Sequence, residues 1–415
     1  MKRNKNMEAV RVKKLYDGTM EKPVDNATIF FDTEGVREIC ASTEEAGRLA
    51  EKYRITIQET ETFMTPGLID AHVHLTLPGD GTAGEDQLRQ IAAEEIQMLA
   101  LDNAMTALRC GVTTLRDVGS YQGMALHVRN YCRRTKKGPD ILVGGMPLTS
   151  TNGHCHYMGG EADGILEIRK MIRSQMKSGI DFVKLMATAG GTKGISQADP
   201  FSLEELCEAV EESHRLGLKI TMHASRINGL RKAVHSGPDG LEHCQFTDGG
   251  QIVKDQALAE EICRRNIYPC HTLAVNVAGL YSYFKEKPQE LWSLQDQKDF
   301  EWQERCLELM PAQLAFQLKC GVPTIGGSDA GWKFTLFQNA MQISMEMMEQ
   351  AGMNGRDIIY SCTGLCAKAL GIENQTGTIK EGLQADFLLL REDPGEDIKA
   401  FYKIEKIYKN GVWVH

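Results

Sequence analysis

The middle of the chain, from residue 65 to residue 372, alternates short apolar segments with longer amphipathic stretches. The apolar segments have the length and residue types of β-strands, and the amphipathic stretches have the spacing of helices. Eight strands are predicted, at 67–75, 113–118, 141–147, 182–187, 219–224, 240–245, 267–273 and 323–328. Helices are predicted between them, for example at 85–109, 203–216 and 301–318. Eight strand and helix units predict an α/β fold with a (β/α)8 TIM barrel, and a doubly wound sheet is the alternative.

The two ends of the chain have a different pattern, with short β-like segments separated by turn residues. These segments are 9–16, 27–31 and 53–63 near the start, and 378–380, 385–390, 404–408 and 412–414 near the end. Neither end carries enough alternating apolar sequence for a core of its own. We therefore predict one small β-sandwich domain built from residues 1–64 and 373–415, beside a barrel domain at 65–372.

Composition and charge narrow the possible partners. Hydrophobic residues make up 42% of the 415 positions and charged residues 25%, as in an ordinary globular protein. The net charge of −9 argues against nucleic acid or an anionic membrane as partner. No apolar stretch is long enough to span a bilayer, and the basic start of the chain leads into no apolar signal core. We expect a cytoplasmic protein whose 12 cysteines, which include no Cys-x-x-Cys pair, are mostly reduced and buried.

The first predicted strand ends in two histidines, His72 and His74, that stand one residue apart. Side chains alternate faces along a strand, so both imidazoles point the same way. Such a pair can occupy adjacent positions around one metal ion. The alternative is two core histidines that find hydrogen-bond partners.

Further candidate ligands fall on other predicted strands, at the ends where barrel enzymes carry their chemistry. These residues are Lys184 in the fourth strand, His223 at the end of the fifth, His243 at the end of the sixth and Asp329 after the eighth. For Lys184, the alternative is a strand-end lysine that reaches solvent. The combined pattern favours a metal site over isolated core histidines.

The chain resembles the amidohydrolase superfamily of metal-dependent hydrolases over nearly its whole length. The opening motif is PGLIDAHVH at 66–74, and the closing motif is GTIKEGLQADF at 377–387. Within the superfamily it is most similar to the imidazolonepropionase-like and Xaa-Pro dipeptidase or carboxypeptidase-like branch. The segments GVTTLRD at 111–117 and KLMATAGG at 184–191 carry that closer similarity.

The resemblance implies a binuclear centre of two divalent metal ions, with zinc as the expected metal. It assigns His72, His74 and Asp329 to one ion and His223 and His243 to the other. Lys184, carboxylated on its side-chain nitrogen by CO2, would bridge the two ions. A metal-bridging hydroxide would then attack the scissile carbonyl, with Asp329 as general base and acid. The resemblance also implies a small-molecule substrate and a homo-oligomer.

Two residues favour hydrolysis over deamination on this scaffold. Deaminases of the superfamily usually place a glutamate three residues after the histidine of the fifth strand, and here that position is Arg226. Deaminases and imidazolonepropionases also generally lack the bridging lysine that Lys184 supplies. The favoured reaction is cleavage of an amide or peptide bond, in an N-acyl amino acid or a dipeptide. The alternatives are cleavage of a cyclic amide, lactone or aryl-urea bond, deamination, and a non-catalytic metal-binding protein.

Substrate contacts are assigned to residues near the predicted strand ends. A guanidinium at Arg226 could bind a substrate carboxylate through two hydrogen bonds, whereas the alternative is a surface arginine. In related enzymes a histidine of the loop after the third strand contacts substrate, which points to His154 or His156, beside Tyr157. His271, near the end of the seventh strand, lines the pocket or packs in the core. The aromatic segment 281–302 is long for a connection and is interpreted as a lid, an amphipathic helix or a subunit contact.

Overall fold

A computed structural model describes residues 7–87 and 90–414 of the chain. The strands are β1 (Glu8–Arg11), β2 (Lys14–Leu15), β3 (Val24–Asp25), β4 (Thr28–Asp32), β5 (Gly35–Cys40), β6 (Ile57–Glu59), β7 (Phe63–Pro66), β8 (Leu68–Val73), β9 (Val112–Asp117), β10 (Asp140–Val143), β11 (Phe182–Met186), β12 (Lys219–His223), β13 (Gly240–Glu242), β14 (Thr247–Asp248), β15 (Gln251–Ile252), β16 (Tyr268–Cys270), β17 (Phe387–Leu390), β18 (Ile404–Lys409) and β19 (Val412–Trp413).

The α-helices are α1 (Thr43–Tyr53), α2 (Gly84–Gln87), α3 (Ala93–Arg109), α4 (Ala125–Thr135), α5 (Gly164–Ser178), α6 (Leu203–Arg215), α7 (Ile227–Ser236), α8 (Gln256–Arg264), α9 (Ala278–Tyr281), α10 (Tyr283–Glu286), α11 (Leu294–Lys319), α12 (Ala340–Gln350), α13 (Gly355–Ser361) and α14 (Gly364–Leu370). Short 3-10 helices lie at Tyr121–Gly123, His156–Met158, Leu273–Asn276, Gln289–Leu291 and Ile398–Tyr402. Every helix in the described part of the chain is too short or too polar to cross a lipid bilayer.

These elements divide into two compact units, which together make a mixed α/β fold. The terminal unit consists of residues 7–69, Thr106–Thr114 and 353–414, and the central unit of Leu115–Gly352 with the described part of Asp70–Met105. The predicted barrel boundary at residue 372 is a different division, because residues 353–372 belong to the terminal unit.

The terminal unit contains two sheets that share one apolar cluster. Their strand orders are β5-β4-β1-β6 and β19-β18-β17-β7-β2-β3, so the second sheet pairs the start of the chain with its end. Phe31 of the first sheet packs against Phe387 and Tyr408 of the second, with ring centroids 4.8 and 5.1 Å apart. Side chains from both sheets thus build one shared core between them.

Two predicted strands of this unit are wrong in detail. The segment 53–63 begins at the last residue of α1, and only its later part forms β6 and the start of β7. Helix α1 forms because the Ser42 side chain accepts a hydrogen bond from the Glu45 N–H and acidic residues occupy the first turn. The segment 378–380 is no strand, although Ile379 is buried and donates its N–H to the Asp17 carbonyl.

The central unit is built on parallel strands. One sheet has the order β10-β9-β8 and another the order β11-β12-β13-β16. In the second sheet Lys184 pairs with Thr221, which pairs in turn with Gly240. Hydrogen bonds from Leu148 to Lys184 and back from Met186 to Leu148 connect the chain after β10 to β11.

The predicted eighth strand at 323–328 is not a strand in the structure. Ile325 makes an isolated parallel bridge with β16, and Ala330, two residues after the segment, makes one with β8. Gly327 lies so close to β16 that an added Cβ would sit 2.2 Å from the Cys270 sulfur, so this position requires glycine. Asp329, with φ of 64°, then turns the chain. The hydrogen bond from the Asp329 N–H to the His72 carbonyl still places this segment beside β8.

The predicted helices correspond to observed ones with shifted ends. The stretch 85–109 forms α2 and α3 rather than one helix, and its residues 88 and 89 lie outside the described residues. The stretch 203–216 forms α6, which begins at a reciprocal cap between Ser202 and Glu205. The stretch 301–318 is part of the longer α11.

Candidate metal centre

The parallel strands of the central unit carry ionisable side chains at their carboxyl ends. His72 lies in β8, Lys184 lies in β11 and His223 is the last residue of β12. His74 and His243 lie just after β8 and β13. Asp329 lies just after the bridged segment 325–328. All six are buried, with exposed fractions of 7% or less. The structure therefore brings together the six residues that the sequence assigned to metal binding.

His72, His74 and Asp329 form a tight group. Their candidate ligand atoms all lie within 4.8 Å of one another. The Oδ1 atom of Asp329 is 3.5 Å from His72 Nε2 and 3.4 Å from His74 Nε2. Among the described residues, neither Asp329 Oδ1 nor His72 Nε2 makes a hydrogen bond. Buried polar atoms without partners that converge on one point fit a bound cation.

The other ring nitrogen of each of these histidines is held by a hydrogen bond. His74 Nδ1 is 2.8 Å from the Gly119 carbonyl oxygen, and His72 Nδ1 is 2.6 Å from a Glu242 carboxylate oxygen. Because carbonyl and carboxylate oxygens only accept, each Nδ1 carries the proton. The lone pair on each Nε2 is then free for a metal ion, as in metal-ligating histidines generally.

His223 and His243 lie beside this group. Their ring centroids are 4.5 Å apart, and the His243 ring is 5.0 Å from that of His72. His243 Nδ1 is 2.7 Å from the Thr272 hydroxyl, and His223 Nε2 is 3.2 Å from the Ser225 hydroxyl. Burial lowers the pKa of both histidines well below the ordinary value. Both are therefore neutral imidazoles near pH 7, the form that binds metals.

Lys184 is a fully buried lysine among these histidines, with an exposed fraction of 1%. In the described part of the chain its ammonium makes no hydrogen bond or ion pair. Burial lowers the pKa of Lys184, although the more distant carboxylates of Glu242 and Asp329 oppose the shift. Lysines are rarely buried unless paired, so this amine is unusual as a purely structural group.

The pKa values within the first group differ between its members. Burial lowers the pKa of His74 to about 4. Burial also disfavours a charged His72, but Asp329 and Glu242 outweigh it and raise the pKa of His72. Burial alone would raise the pKa of Asp329, yet the adjacent His72 and His74 lower it. Asp329 is thus an ionised carboxylate, able to bind a cation or accept a proton.

Among the six candidate ligands and the residues that directly follow them, three non-glycine residues have left-handed backbone conformations: His243 with φ of 66°, Cys244 with 46° and Asp329 with 64°. Such conformations cost energy and persist where the surrounding structure holds them in place. Two of the three are proposed ligands, which is typical of a functional site.

The six residues lie at a cavity of about 790 Å³. Its walls also include His154 and Arg226, two of the residues assigned to substrate. His154 is buried, with its ring 4.7 Å from that of His223 and its Nδ1 2.8 Å from the Thr192 hydroxyl. Arg226 precedes α7 and donates hydrogen bonds to the backbone and side chain of Gln197.

The structure places the other three substrate candidates outside the cavity lining. His156 Nδ1 lies 3.0 Å from the carbonyl oxygen of Gly153, within its own loop. Tyr157 follows it in the same short 3-10 helix. His271 is buried, and its Nε2 lies 3.0 Å from the side-chain oxygen of Gln317. His271 therefore takes the core position that the sequence left as an alternative.

Sequence reasoning missed two residues of the site. Glu242 binds His72, which lies 170 positions earlier in the chain. Trp332 lines the cavity with its ring 5.9 Å from that of His74 and 5.5 Å from that of His154. The position of Trp332, three residues after Asp329, is the one sequence signal that could have identified it.

The aromatic segment 281–302 forms α10, a 3-10 turn and the start of α11, and it contributes Tyr283, Lys287, Asp296 and Trp302 to the cavity wall. Phe284 packs on Trp292 with ring centroids 5.3 Å apart, which gives the segment a small apolar core. The segment is therefore part of the cavity wall. This position is compatible with the interpretation of the segment as a lid.

Comparisons with known proteins show the family of the chain. The amidohydrolase family matches residues 63–414. An ochratoxinase of Aspergillus niger is 26% identical over 94% of this chain and 83% of its own length. An imidazolonepropionase of Shewanella oneidensis is 24% identical over 85% of this chain and 84% of its own length. The solved structure of a Xaa-Pro dipeptidase with bound methionine has a TM-score of 0.81 at 22% identity, covering 99% of this chain and 100% of the other. The chain therefore belongs to the amidohydrolase family and is a hydrolase that acts on C–N bonds.

Proposed function

We propose that this chain is a binuclear metal-dependent hydrolase that cleaves the amide bond of N-acyl amino acids or dipeptides. The observation that carries the proposal is Lys184, a buried amine without a partner among the described residues, which lines the same cavity as four buried histidines and Asp329. A structural lysine would be paired, whereas a lysine that becomes a metal ligand has reason to be buried there.

We also propose that the parallel strands of the central unit close into a (β/α)8 barrel. The hydrogen bonds between Leu148 and β11, and the bridges of Ile325 and Ala330 to β16 and β8, support closure. The shared apolar cluster of the two terminal sheets supports a β-sandwich. The domain boundaries at residues 64 and 372 remain part of this proposal.

In the proposed centre His72, His74 and Asp329 would hold one divalent ion, and His223 and His243 would hold the other. The neutral Lys184 amine would attack CO2, forming a carbamate N–C bond and releasing one proton to water, and the carbamate would supply oxygen ligands to both ions. Zinc suits this set of imidazole and carboxylate ligands. When bound, the two ions lower the pKa of a water molecule and polarise the scissile carbonyl.

The remaining steps belong to side chains of the protein. Asp329 is ionised and faces the cavity, so it can take the proton of the attacking water. The same carboxyl group then delivers that proton to the leaving amine. His154 lines the cavity beside His223, where it can donate a hydrogen bond to the oxygen of the substrate carbonyl.

The charge of the cavity wall supports a substrate with a carboxylate. Three basic side chains of the wall already have acidic partners: Lys193 with Asp86, Lys287 with Asp296 and Lys333 with Asp299. Arg226 has only the amide and carbonyl of Gln197 among the described residues. Its guanidinium can therefore bind the carboxylate of the amino acid that is released.

Metal content, carbamate formation and amine release test the proposal. We expect protein supplied with zinc and 13C-bicarbonate to bind about two ions per chain, as two-metal hydrolases do. It should also show a carbamate 13C signal and release amino acids from a library of N-acyl amino acids and dipeptides. Lys184→Ala should lose the carbamate signal, one ion and nearly all turnover. Lys193→Ala, at an exposed lysine of the same cavity wall, is the control and should keep both ions and the signal.

Two results would contradict the proposal. One is a Lys184→Ala variant that retains full turnover and both ions. The other is wild-type protein that hydrolyses cyclic amides, lactones or aryl ureas while leaving every N-acyl amino acid and dipeptide intact, since that result would favour the alternative substrates.

A further inference from the structure

Beneath the candidate metal centre lies a fully buried carboxylate that is none of its proposed ligands. Glu242 has no exposed surface. Its Oε2 is 2.6 Å from His72 Nδ1, and its Oε1 accepts hydrogen bonds from Arg116 at 2.6 Å and from the Thr221 hydroxyl at 2.5 Å. Glu242 follows Leu241 in β13, and its three partners belong to β8, β9 and β12. One side chain thus connects four strands.

Arg116, which binds Glu242, is also buried and held by several contacts. Its exposed fraction is 6%, and its Nε donates to the carbonyl oxygen of Ala71 at 2.5 Å. The guanidinium also lies 5.3 Å from the centre of the Phe182 ring. These contacts hold the positive charge of Arg116 next to the buried carboxylate of Glu242.

This arrangement leaves His72 one tautomer. Arg116 and Thr221 donate hydrogen bonds to Oε1 of Glu242, so Oε2 remains for His72. Because a carboxylate oxygen only accepts, His72 Nδ1 must carry the hydrogen of this bond. In the neutral ring the lone pair is therefore on Nε2, the atom that lies 3.5 Å from Asp329 Oδ1. His74 obtains the same tautomer from the Gly119 carbonyl instead, so the role of Glu242 is specific to His72.

We infer that Glu242 is a positioning residue that sets the tautomer and ring orientation of His72, and thereby the metal affinity of the group formed by His72, His74 and Asp329. Arg116 maintains Glu242 as a charged acceptor. This inference rests on the proposed function only in taking His72 as a metal ligand. It concerns the protein before any substrate binds.

The first test is zinc affinity of metal-free protein, measured by competition with a chromophoric chelator. Glu242→Gln should weaken zinc binding about 10- to 100-fold, which is the usual effect of losing such a support. The amide offers one acceptor oxygen and two donors, so it cannot accept from His72, Arg116 and Thr221 together. Unchanged zinc affinity in Glu242→Gln would overturn the inference.

A second variant separates positioning from charge balance. The double variant Arg116→Met/Glu242→Met removes both buried charges and replaces them with apolar side chains, which proteins often tolerate. It still leaves His72 Nδ1 without an acceptor. We expect zinc affinity to stay low in this variant even where its free energy of unfolding returns to that of the wild type. Full recovery of zinc affinity would show that Glu242 only balances Arg116.

Nitrogen-15 NMR of the histidine rings in metal-free protein reads the tautomer directly. The wild type should show a protonated Nδ1 at both His72 and His74. Both Glu242 variants should lose this preference at His72 and keep it at His74, which serves as the internal control. Wild-type protein that binds no zinc would refute the proposed function, whereas the His72 tautomer would still decide the role of Glu242.

Discussion

The basic side chains of the cavity differ in whether an acidic side chain neutralises them. Apart from Lys184 in the candidate metal centre, Arg226 is the lysine or arginine of the wall without an acidic partner in the described part of the chain. We expect Arg226→Met to raise KM about 10- to 100-fold for substrates with a free carboxylate, since a hydrogen bond to a charged group contributes about 1.5–3 kcal/mol. The KM of Arg226→Lys should lie between those of the wild type and Arg226→Met, because a lysine ammonium keeps the positive charge but cannot make two parallel hydrogen bonds to a carboxylate.

The matched control for Arg226 is chemical. The primary amides of the same substrates lack the negative charge, so their KM should change little in either variant. Steady-state kinetics on each acid and amide pair measures the difference. If KM rises equally for acids and amides, Arg226 holds the cavity wall through Gln197 and does not bind the carboxylate.

At the scale of elements, the start of α11 depends on one carboxylate. Asp296 Oδ2 accepts hydrogen bonds from the Ser293 N–H at 2.7 Å and from the Lys287 ammonium at 3.0 Å. Its Oδ1 accepts from the Tyr283 hydroxyl at 2.9 Å. The hydrogen bonds to Ser293 lower the pKa of Asp296, which also bonds Lys287 and Tyr283. One side chain therefore caps the helix and joins it to α10.

Asp296→Asn should destabilise this part of the cavity wall by about 1–3 kcal/mol, because the amide cannot accept all of these hydrogen bonds. Amide hydrogen exchange in the first turns of α11 should become faster, while exchange in strands β11, β12 and β13 stays the same. Glu301→Gln, at an exposed position of the same helix, is the control. Exchange in the first turns as slow as in the wild type would show that the aromatic contacts alone hold the segment.

The elements that were predicted correctly are those that local pattern determines. Strands β8, β9, β11, β12 and β13 fall within predicted apolar segments or within one residue of them. The eighth segment makes only isolated bridges to its neighbours in place of a continuous ladder, and this pairing between distant parts of the chain has no local signal. Glu242 was missed for a related reason. Its neighbour His243 is the residue that attracts notice, while its own partner His72 is distant along the chain.

For the whole molecule, the family follows from motifs at the two ends of the match, which lie more than 300 residues apart. The grouping of the six candidate metal ligands follows from strand periodicity combined with that resemblance. The shape and charge of the cavity cannot be predicted from motifs or periodicity. The wall comes from loops and from the start of α11, whose contacts depend on tertiary packing.

The stability of the whole chain should depend on pH through a buried histidine outside the metal centre. Burial lowers the pKa of His271 to about 4, although its hydrogen bond to Gln317 opposes the shift. Between about pH 6.5 and pH 4 the unfolded chain therefore binds a proton at this site that the folded chain does not. The stabilisation is complete above pH 6.5 and is lost as the pH falls, by up to about 1.4 kcal/mol per pH unit. Asp117, whose pKa burial raises to about 7, acts in the opposite direction, so the test must compare variants.

His271→Asn keeps a side chain that can bond Gln317 and removes the titrating ring. Urea unfolding at pH 8, where the imidazole is neutral in both states, gives the cost of the altered packing alone. On going from pH 7 to pH 5 the wild type should lose stability relative to this variant, and the difference between the two free energies of unfolding should shrink by about 1–2 kcal/mol. A difference that stays constant across this range would mean that the ring is as easily protonated in the folded protein as in the unfolded chain. Acid would then act on the fold through other groups, such as the carboxylates that cap α11 and hold His72.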